Sequence, residues 1–179
     1  MNLTLIQLQG IMPRMGRNPK TAATLLPHLN AAMAGAQINT VGRVAAFLAQ
    51  VAHESCEFRY MEEIASGAAY EGRADLGNTE PGDGVRYKGR GFLQLTGRDN
   101  YRACGAALGV DLEGDPGLAA TPEYAFKTSC WFWTKHNLNE LADKGEFELI
   151  TRRINGGLNG YEQRLGYLHA ALTVLQQAG

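Results

Sequence analysis

The sequence predicts an α+β protein that is predominantly α-helical and carries a small β element. Apolar residues recur at helical spacing in most segments, and Thr, Asn or Pro residues stand where these segments begin. One glycine-rich region interrupts the pattern, and a short apolar stretch after it suits extended structure. With 45% hydrophobic and 20% charged residues, the chain fits one globular domain over residues 1–179.

The N-terminal part predicts short helices that precede a longer one. Thr4 is placed to cap a helix that ends before Pro13. Asn18-Pro19 combines an N-cap residue with a proline in the first turn, which indicates the next helix start. Pro27 is expected to break that helix and to begin another, which runs to Gly35.

The main helix is predicted to begin at Thr40, a suitable N-cap, and to continue to Glu54. Its apolar residues follow a helical period: Val44, Phe47, Leu48 and Val51. The apolar run leads directly into His53-Glu54. We therefore expect a buried helix that ends in a carboxylate.

The middle of the chain predicts irregular structure and the β element. Glycines interrupt residues 64–91, which indicates a long loop with a small hairpin. Residues 92–95 are expected to be extended. Thr96 and Asp99 resemble a capping box with Asp in place of Glu, and they predict a helix that stops near Gly109.

The C-terminal part predicts three further helices. Asp115-Pro116 indicates a turn, and Thr121-Pro122 indicates a helix start that precedes an aromatic-rich segment. Residues 146–154 predict a helix that is ended by Asn155 and two glycines. The last helix is predicted over residues 161–177.

Composition argues against several functional classes. The net charge of −1 does not favour a nucleic-acid partner. No apolar run is long enough to span a membrane, and Pro13 and Arg14 cut short any apolar core of a secretion signal. The three cysteines, Cys56, Cys104 and Cys130, are an odd number without framework spacing. We expect reduced thiols in a cytosolic protein.

Two carboxylates suggest the chemistry. Desolvation and the negative end of the helix dipole would both favour a protonated Glu54, as a general acid requires. Glu63 follows nine residues later and could activate water as a base. An inverting glycosidase holds two such carboxyls roughly 6.5–9.5 Å apart. The residues alone leave three rivals for the base, namely Glu57, Glu62 and Glu71.

Other chemistries are less well supported. His53-Glu54 begins like the zinc motif H-E-x-x-H, but position 57 is Glu, so the second ligand is missing. Cys56 with a distant His169 could form a cysteine hydrolase, although a buried inert thiol is commoner. Thr96 has two interpretations, since its hydroxyl could cap a helix or hold an attacking water.

Four ordered blocks resemble glycoside hydrolase family 19, the chitinase-like enzymes that include many phage endolysins. Residues 47–55 are similar to the family helix that ends in the catalytic acid, and Glu63 stands at the spacing of bacterial members. Residues 87–101 resemble the most distinctive stretch of the family. Residues 154–158 and 164–167 are similar to its C-terminal blocks.

The resemblance implies a lysozyme-like fold and inverting hydrolysis of a β-1,4 bond to an N-acetylated amino sugar, without a metal or organic cofactor. It implies that Glu54 is the general acid, that Glu63 is the general base and that Thr96 positions the water. It also implies four residues that bind substrate or support the carboxylates: Gln94, Asn100, Asn155 and Arg164.

The chain departs from secreted plant members because the region between Glu54 and Tyr87 is compact and paired cysteines are absent. We therefore expect an endolysin that acts on peptidoglycan, with a chitinase or a non-catalytic glycan-binding protein as alternatives. The expected enzyme is a monomeric single catalytic domain without a wall-binding module. It would wait in the host cytoplasm until a holin opens the membrane. Residues 1–53 contain no Asp or Glu, and this basic part could favour an anionic wall.

Overall fold

The computed structural model describes residues 1–15 and 19–177. Its α-helices are α1 (Leu5–Ile11), α2 (Pro19–Gly35), α3 (Val41–Glu54), α4 (Asp83–Arg86), α5 (Arg98–Leu108), α6 (Pro122–Lys135), α7 (Leu138–Asp143), α8 (Phe147–Asn155) and α9 (Tyr161–Gln176). Short 3-10 helices lie at Ala68–Tyr70, Ala74–Leu76 and Pro116–Ala120. Within the described residues, β structure is limited to two antiparallel bridges, Glu62 with Arg90 and Arg90 with Leu95. The predominantly α-helical α+β class is confirmed, with a smaller β element than expected.

Contacts divide the chain into two compact units, with one boundary between Arg59 and Tyr60 and the other within α6. The first unit comprises Met1–Arg59 and Trp133–Gly179, and the second comprises Tyr60–Phe132. That residues 1–179 act as one catalytic domain stays a prediction. No helix in the described part of the chain is long and apolar enough to cross a membrane.

In the first unit, α3 packs chiefly against α9, while α1 contacts α2 and α9. The Thr40 side chain accepts a hydrogen bond from the Arg43 amide, so the predicted N-cap of α3 is confirmed. Every residue of α3 from Val44 to Ala52 is buried. Each large apolar side chain in such a helix stabilises the fold by about 1.5–3 kcal/mol. This burial holds the C-terminal end of α3, and with it Glu54, in a fixed place.

Helix α2 corrects one prediction. Pro27 lies inside α2 and does not divide it. A proline removes one backbone hydrogen bond, but Leu25 and Leu29 beside it are buried, and their packing offsets that cost. The predicted N-cap Asn18 lies outside the described residues. Thr4 forms a capping box at the start of α1, as expected.

The second unit has its own apolar cluster. Its buried members are Tyr87, Leu95, Tyr101, Cys104, Leu112 and Ala119. The rings of Tyr87 and Tyr101 lie 5.4 Å apart between centroids. Because Tyr87 precedes the 88–97 turn and Tyr101 lies on α5, this cluster fixes the turn against that helix.

Two predictions about this turn are wrong. Residues 92–95 are not extended, because Gly91 and Gln94 have φ values of +80° and +52° and the chain reverses direction. Thr96 does not cap α5, since Gly97 is the N-cap residue and makes no side-chain bond there. The Asn78 side-chain oxygen instead accepts from the Arg98 amide at 2.9 Å, a partner that local sequence cannot reveal.

The glycine-rich segment 64–91 also differs from the prediction. It folds as short helical turns and, in the part of the chain that the structure describes, has no hairpin strands. Glu71 organises it by accepting from the Gly82 amide at 2.7 Å and from the Gly84 amide at 2.8 Å. The loop is therefore irregular but internally bonded. The cysteines Cys56, Cys104 and Cys130 form no disulfide among the described residues.

An ion pair at α4 leads to a pH-dependent prediction. Arg98 donates to both carboxylate oxygens of Asp83 at 2.9 and 2.5 Å, and Asp83 is 2% exposed. The hydrogen bond from Arg98 lowers the pKa of Asp83. A lowered folded-state pKa stabilises the protein above the unfolded value of about 4, and this contribution is lost as pH falls through the folded pKa. Asp83→Asn is expected to lower the free energy of unfolding by about 2 kcal/mol at pH 7.

Urea unfolding at pH 7 and at about pH 3 measures this effect, and the difference between variant and parent should shrink at the lower pH. Asp75→Asn is the matched control, because the Asp75 side chain is 63% exposed in its pair with Arg73. An exposed pair should contribute little at either pH. A constant difference for Asp83→Asn across this range would contradict the prediction.

Candidate active site

Glu54 is the last residue of α3, and Ser55 is the C-cap. Arg164 of α9 donates from Nη2 to Glu54 Oε1. The Arg164 side chain is fully buried, whereas the Glu54 side chain is 20% exposed. The buried guanidinium of Arg164 therefore fixes the Glu54 carboxylate, which retains some access to solvent.

Arg164 is itself the centre of a buried network in the first unit. Its Nη1 donates to Gln50 Oε1, and its Nε donates to the Asn159 carbonyl at 3.2 Å. Gln50 Nε2 donates to Thr151 Oγ1 at 2.8 Å. Gln50, Thr151 and Arg164 are all 0% exposed. Helices α3, α8 and α9 are therefore tied together directly behind Glu54.

His53 precedes Glu54 and is fixed separately. Its Nδ1 lies 2.7 Å from Gln163 Oε1. Burial and then the nearby Arg164 lower the pKa of His53. A Cβ on Gly160, which has φ +69°, would overlap the imidazole ring, so only glycine permits this approach. His53 supports the end of α3, and no cluster of three metal-binding side chains occurs among the described residues.

Glu63 belongs to the second unit, and each of its carboxylate oxygens has a donor. The Gly89 amide donates to Oε1 at 3.0 Å, and the Tyr70 hydroxyl donates to Oε2 at 3.0 Å. The Glu63 amide in turn donates to the Gly89 carbonyl at 3.0 Å. Burial and the bond to Glu63 raise the pKa of Tyr70, which therefore remains a hydrogen-bond donor. This arrangement orients the carboxylate and leaves further lone pairs on both oxygens for water.

Glu57 is the first rival for the base, and both oxygens of its carboxylate accept hydrogen bonds within the protein. It is 5% exposed. Its Oε2 accepts from the amides of Arg14 and Met15 at 2.7 and 3.0 Å, and its Oε1 accepts from the Tyr167 hydroxyl at 2.7 Å. Its observed role is to hold the segment after α1 to α9.

The other two rivals, Glu62 and Glu71, also bind other parts of the protein through their carboxylates. Glu62 Oε1 pairs with Arg90 Nε at 3.0 Å and with Lys88 Nζ at 3.2 Å. Glu71 binds the two glycine amides of its loop. Glu63 differs from Glu62 because no cation pairs with its carboxylate in the bonds described above, and it differs from Glu57 because it is only partly buried.

The turn before α5 brings three predicted residues into contact. The Thr96 hydroxyl donates to the Gln94 carbonyl at 3.2 Å, and Asn100 Nδ2 donates to the Thr96 carbonyl at 2.9 Å. A Cβ on Gly89 would overlap Gln94 Oε1 and would lie 3.3 Å from Glu63 Oε2. The side chains of Gln94 and Glu63 therefore lie side by side over Gly89.

The remaining predicted residues are Asn155 and Arg164, both in the first unit. Asn155 ends α8, and its Oδ1 is buried without a hydrogen-bond partner among the described residues. A buried polar atom without a partner in this state is suited to a ligand donor. The predicted set is thus split, with Glu54, Asn155 and Arg164 in one unit and Glu63, Gln94, Thr96 and Asn100 in the other.

Sequence reasoning missed Gln50, Tyr70 and Gln163. Gln50 gave a usable signal, because an amide within the apolar run 47–52 requires a buried partner. Tyr70 and Gln163 gave none, since each is an ordinary polar residue in a segment of unremarkable pattern.

Comparisons with known proteins point to one enzyme family. The sequence profile named chitinase class I matches residues 20–144. A glycosyl hydrolase family 19 domain-containing protein of Haemophilus influenzae is 41% identical over 112 residues, which cover 63% of this chain and 54% of that protein. An endochitinase of Arabidopsis thaliana is 44% identical over 115 residues, which cover 64% of this chain and 39% of that protein.

A solved structure is also similar. Chitinase C from Streptomyces griseus HUT6037 superposes with a TM-score of 0.74 and 27% identity, over 97% of this chain and 76% of that one. This similarity supports the lysozyme-like fold expected from the sequence. The chain spans about half or less of the length of the two relatives named above.

Proposed function

Since this chain belongs to glycoside hydrolase family 19, we propose that it hydrolyses β-1,4 bonds to N-acetylated amino sugars by an inverting mechanism. Glu54 is the general acid that protonates the leaving oxygen, and Glu63 is the general base that activates water. The proposed reaction requires no metal or organic cofactor.

One observation carries the proposal, namely the binding of Glu63 by two neutral donors. The Gly89 amide and the Tyr70 hydroxyl fix the plane of the carboxylate without adding a cation. A base must be held at the correct angle and still have a lone pair for the proton it removes. Glu54 differs, because Arg164 holds one of its oxygens.

The other predicted residues take supporting roles in this proposal. Thr96 positions the attacking water. Its hydroxyl is held on the turn before α5 by a hydrogen bond to the Gln94 carbonyl. Gln94 and Asn100 bind the sugar. The unpartnered Oδ1 of Asn155 accepts a donor such as an acetamido N–H of the substrate. Arg164 orients Glu54.

We propose peptidoglycan glycan strands as the substrate and an endolysin role in bacterial lysis. The basic character of residues 1–53, which lack Asp and Glu, supports an anionic wall polymer. In this scheme a monomer waits in the host cytoplasm and reaches the wall after a holin opens the membrane. The endochitinase names among the relatives favour a second candidate, hydrolysis of chitin.

A product analysis separates these candidates. Purified peptidoglycan and chitin hexasaccharide are each incubated with the enzyme in oxygen-18 water, and the products are examined by mass spectrometry and anomer analysis. We expect peptidoglycan fragments with one heavy oxygen at the new reducing end and initial inversion. Products from chitin alone would favour the chitinase, whereas binding without products from either polymer would favour a non-catalytic glycan-binding protein.

A further inference from the structure

Tyr70 is a residue of the second unit that takes no part in the proton transfers proposed above and that the sequence did not single out. It ends the short 3-10 helix Ala68–Tyr70, seven residues after Glu63. Its hydroxyl is part-buried and donates to Glu63 Oε2 at 3.0 Å. The ring therefore extends from the loop to the carboxylate of the proposed base.

The backbone of Tyr70 is fixed by a buried amide. Asn78 Nδ2 donates to the Tyr70 carbonyl at 2.9 Å, and Asn78 Oδ1 accepts from the Arg98 amide at the start of α5. Asn78 is 0% exposed. Since one side chain bonds both to the loop and to the helix, Tyr70 is held in a constant position relative to α5.

The loop around Tyr70 is closed tightly. A Cβ on Gly67 would lie 2.5 Å from the Gly84 carbonyl oxygen, so the backbone around Gly67 and the backbone around Gly84 are in direct contact. Glu71, next in the chain after Tyr70, binds the amides of Gly82 and Gly84. These bonds leave the hydroxyl little freedom to leave Glu63.

We propose that Tyr70 is a positioning residue for Glu63, which its hydroxyl holds in the rotamer required to take a proton from water. The inference rests on the proposed function, because it assigns Glu63 the role of base. With the Gly89 amide as the remaining donor, the carboxylate would turn about its Cγ–Cδ bond. A small loss of alignment at a base slows the chemical step more than it weakens substrate binding.

The Tyr70→Phe variant removes this hydroxyl while keeping the ring. We expect kcat to fall about tenfold with KM and the melting temperature unchanged. Tyr124→Phe is the matched control, since the Tyr124 ring contacts Lys127 and lies on α6 of the same unit. The control should retain the parent kcat. A parent-like kcat in Tyr70→Phe, or a change in KM alone, would overturn the positioning role.

A measurement that does not depend on activity separates this inference from the proposed function. The carbon-13 resonance of Tyr70 Cζ, identified by its loss in Tyr70→Phe, is followed at neutral pH. Glu63→Gln removes the charged acceptor and should move this resonance, while Glu62→Gln should leave it in place. If the resonance does not move, the Tyr70–Glu63 contact is absent and the inference fails on its own, even with an active enzyme.

A resonance that does move has two possible meanings, which the activity of the parent enzyme distinguishes. If the resonance moves but the parent enzyme cleaves neither peptidoglycan nor chitin, the contact exists, and the proposed function fails together with the role assigned to Tyr70. If the parent cleaves a glycan, the resonance moves and Tyr70→Phe loses kcat alone, the inference is supported.

Discussion

Glu54→Gln is expected to lower kcat on a natural glycan by about 10³-fold while the fold is retained. The glutamine amide oxygen can still accept from Arg164 Nη2, so the buried network survives. The amide has no proton of suitable acidity for the leaving oxygen. Initial rates and thermal melting, measured on the same preparations, check both parts of the expectation.

Two controls sharpen this test. Glu162→Gln neutralises an exposed acid of the same unit and should leave the rate unchanged. A glycoside with a dinitrophenyl leaving group needs little protonation, so the loss caused by Glu54→Gln should be much smaller with that substrate. A Glu54→Gln enzyme that cleaves the natural glycan at the parent rate would show that Glu54 is not the acid.

Arg164→Ala is expected to lower the free energy of unfolding by about 3–5 kcal/mol. The change removes a fully buried guanidinium that donates to Glu54, Gln50 and the Asn159 carbonyl. It leaves the fully buried Gln50 amide and the largely buried Glu54 carboxylate without this donor, so the cost of removing them from water is no longer offset by these bonds. Activity should fall as well, because the Glu54 carboxylate then loses the guanidinium that orients it.

Urea unfolding at neutral pH measures the stability change, and rates are taken at a temperature where the variant remains folded. Arg152→Ala is the matched control from α8, because its pair with Glu148 is half exposed and should contribute less than about 0.5 kcal/mol. Arg164→Lys keeps the charge but loses the planar set of donors, so we expect a loss between those of the other two variants. Parent-like stability in Arg164→Ala would contradict the network.

Local sequence was enough for most helix ends. Thr4 and Thr40 cap α1 and α3 through neighbours three residues away, and Pro122 begins α6. These signals are readable because cap and partner lie within one turn. Pro27 misled for the opposite reason, since burial of its neighbours along α2 outweighs one missing hydrogen bond.

For the candidate site too, local sequence identified some features and tertiary structure decided others. Glu54 and Glu63 were found from the helix end, the spacing and the family resemblance. The residues alone leave Glu57, Glu62 and Glu71 as rivals for the base. In the folded protein, Glu57 holds the segment after α1, Glu62 forms an ion pair with a cation, and Glu71 binds amides of its own loop.

Sequence by itself determined that the chain is mostly helical, that α3 ends in a carboxylate and that it carries the ordered blocks of glycoside hydrolase family 19. Those properties depend on local periodicity, on caps and on residue order. Tertiary structure alone decided the partners of the two acids, Arg164 for Glu54 and Tyr70 with Gly89 for Glu63. A hydrogen bond depends on separation in space, and Arg164 follows Glu54 by 110 residues, so no local pattern could encode it.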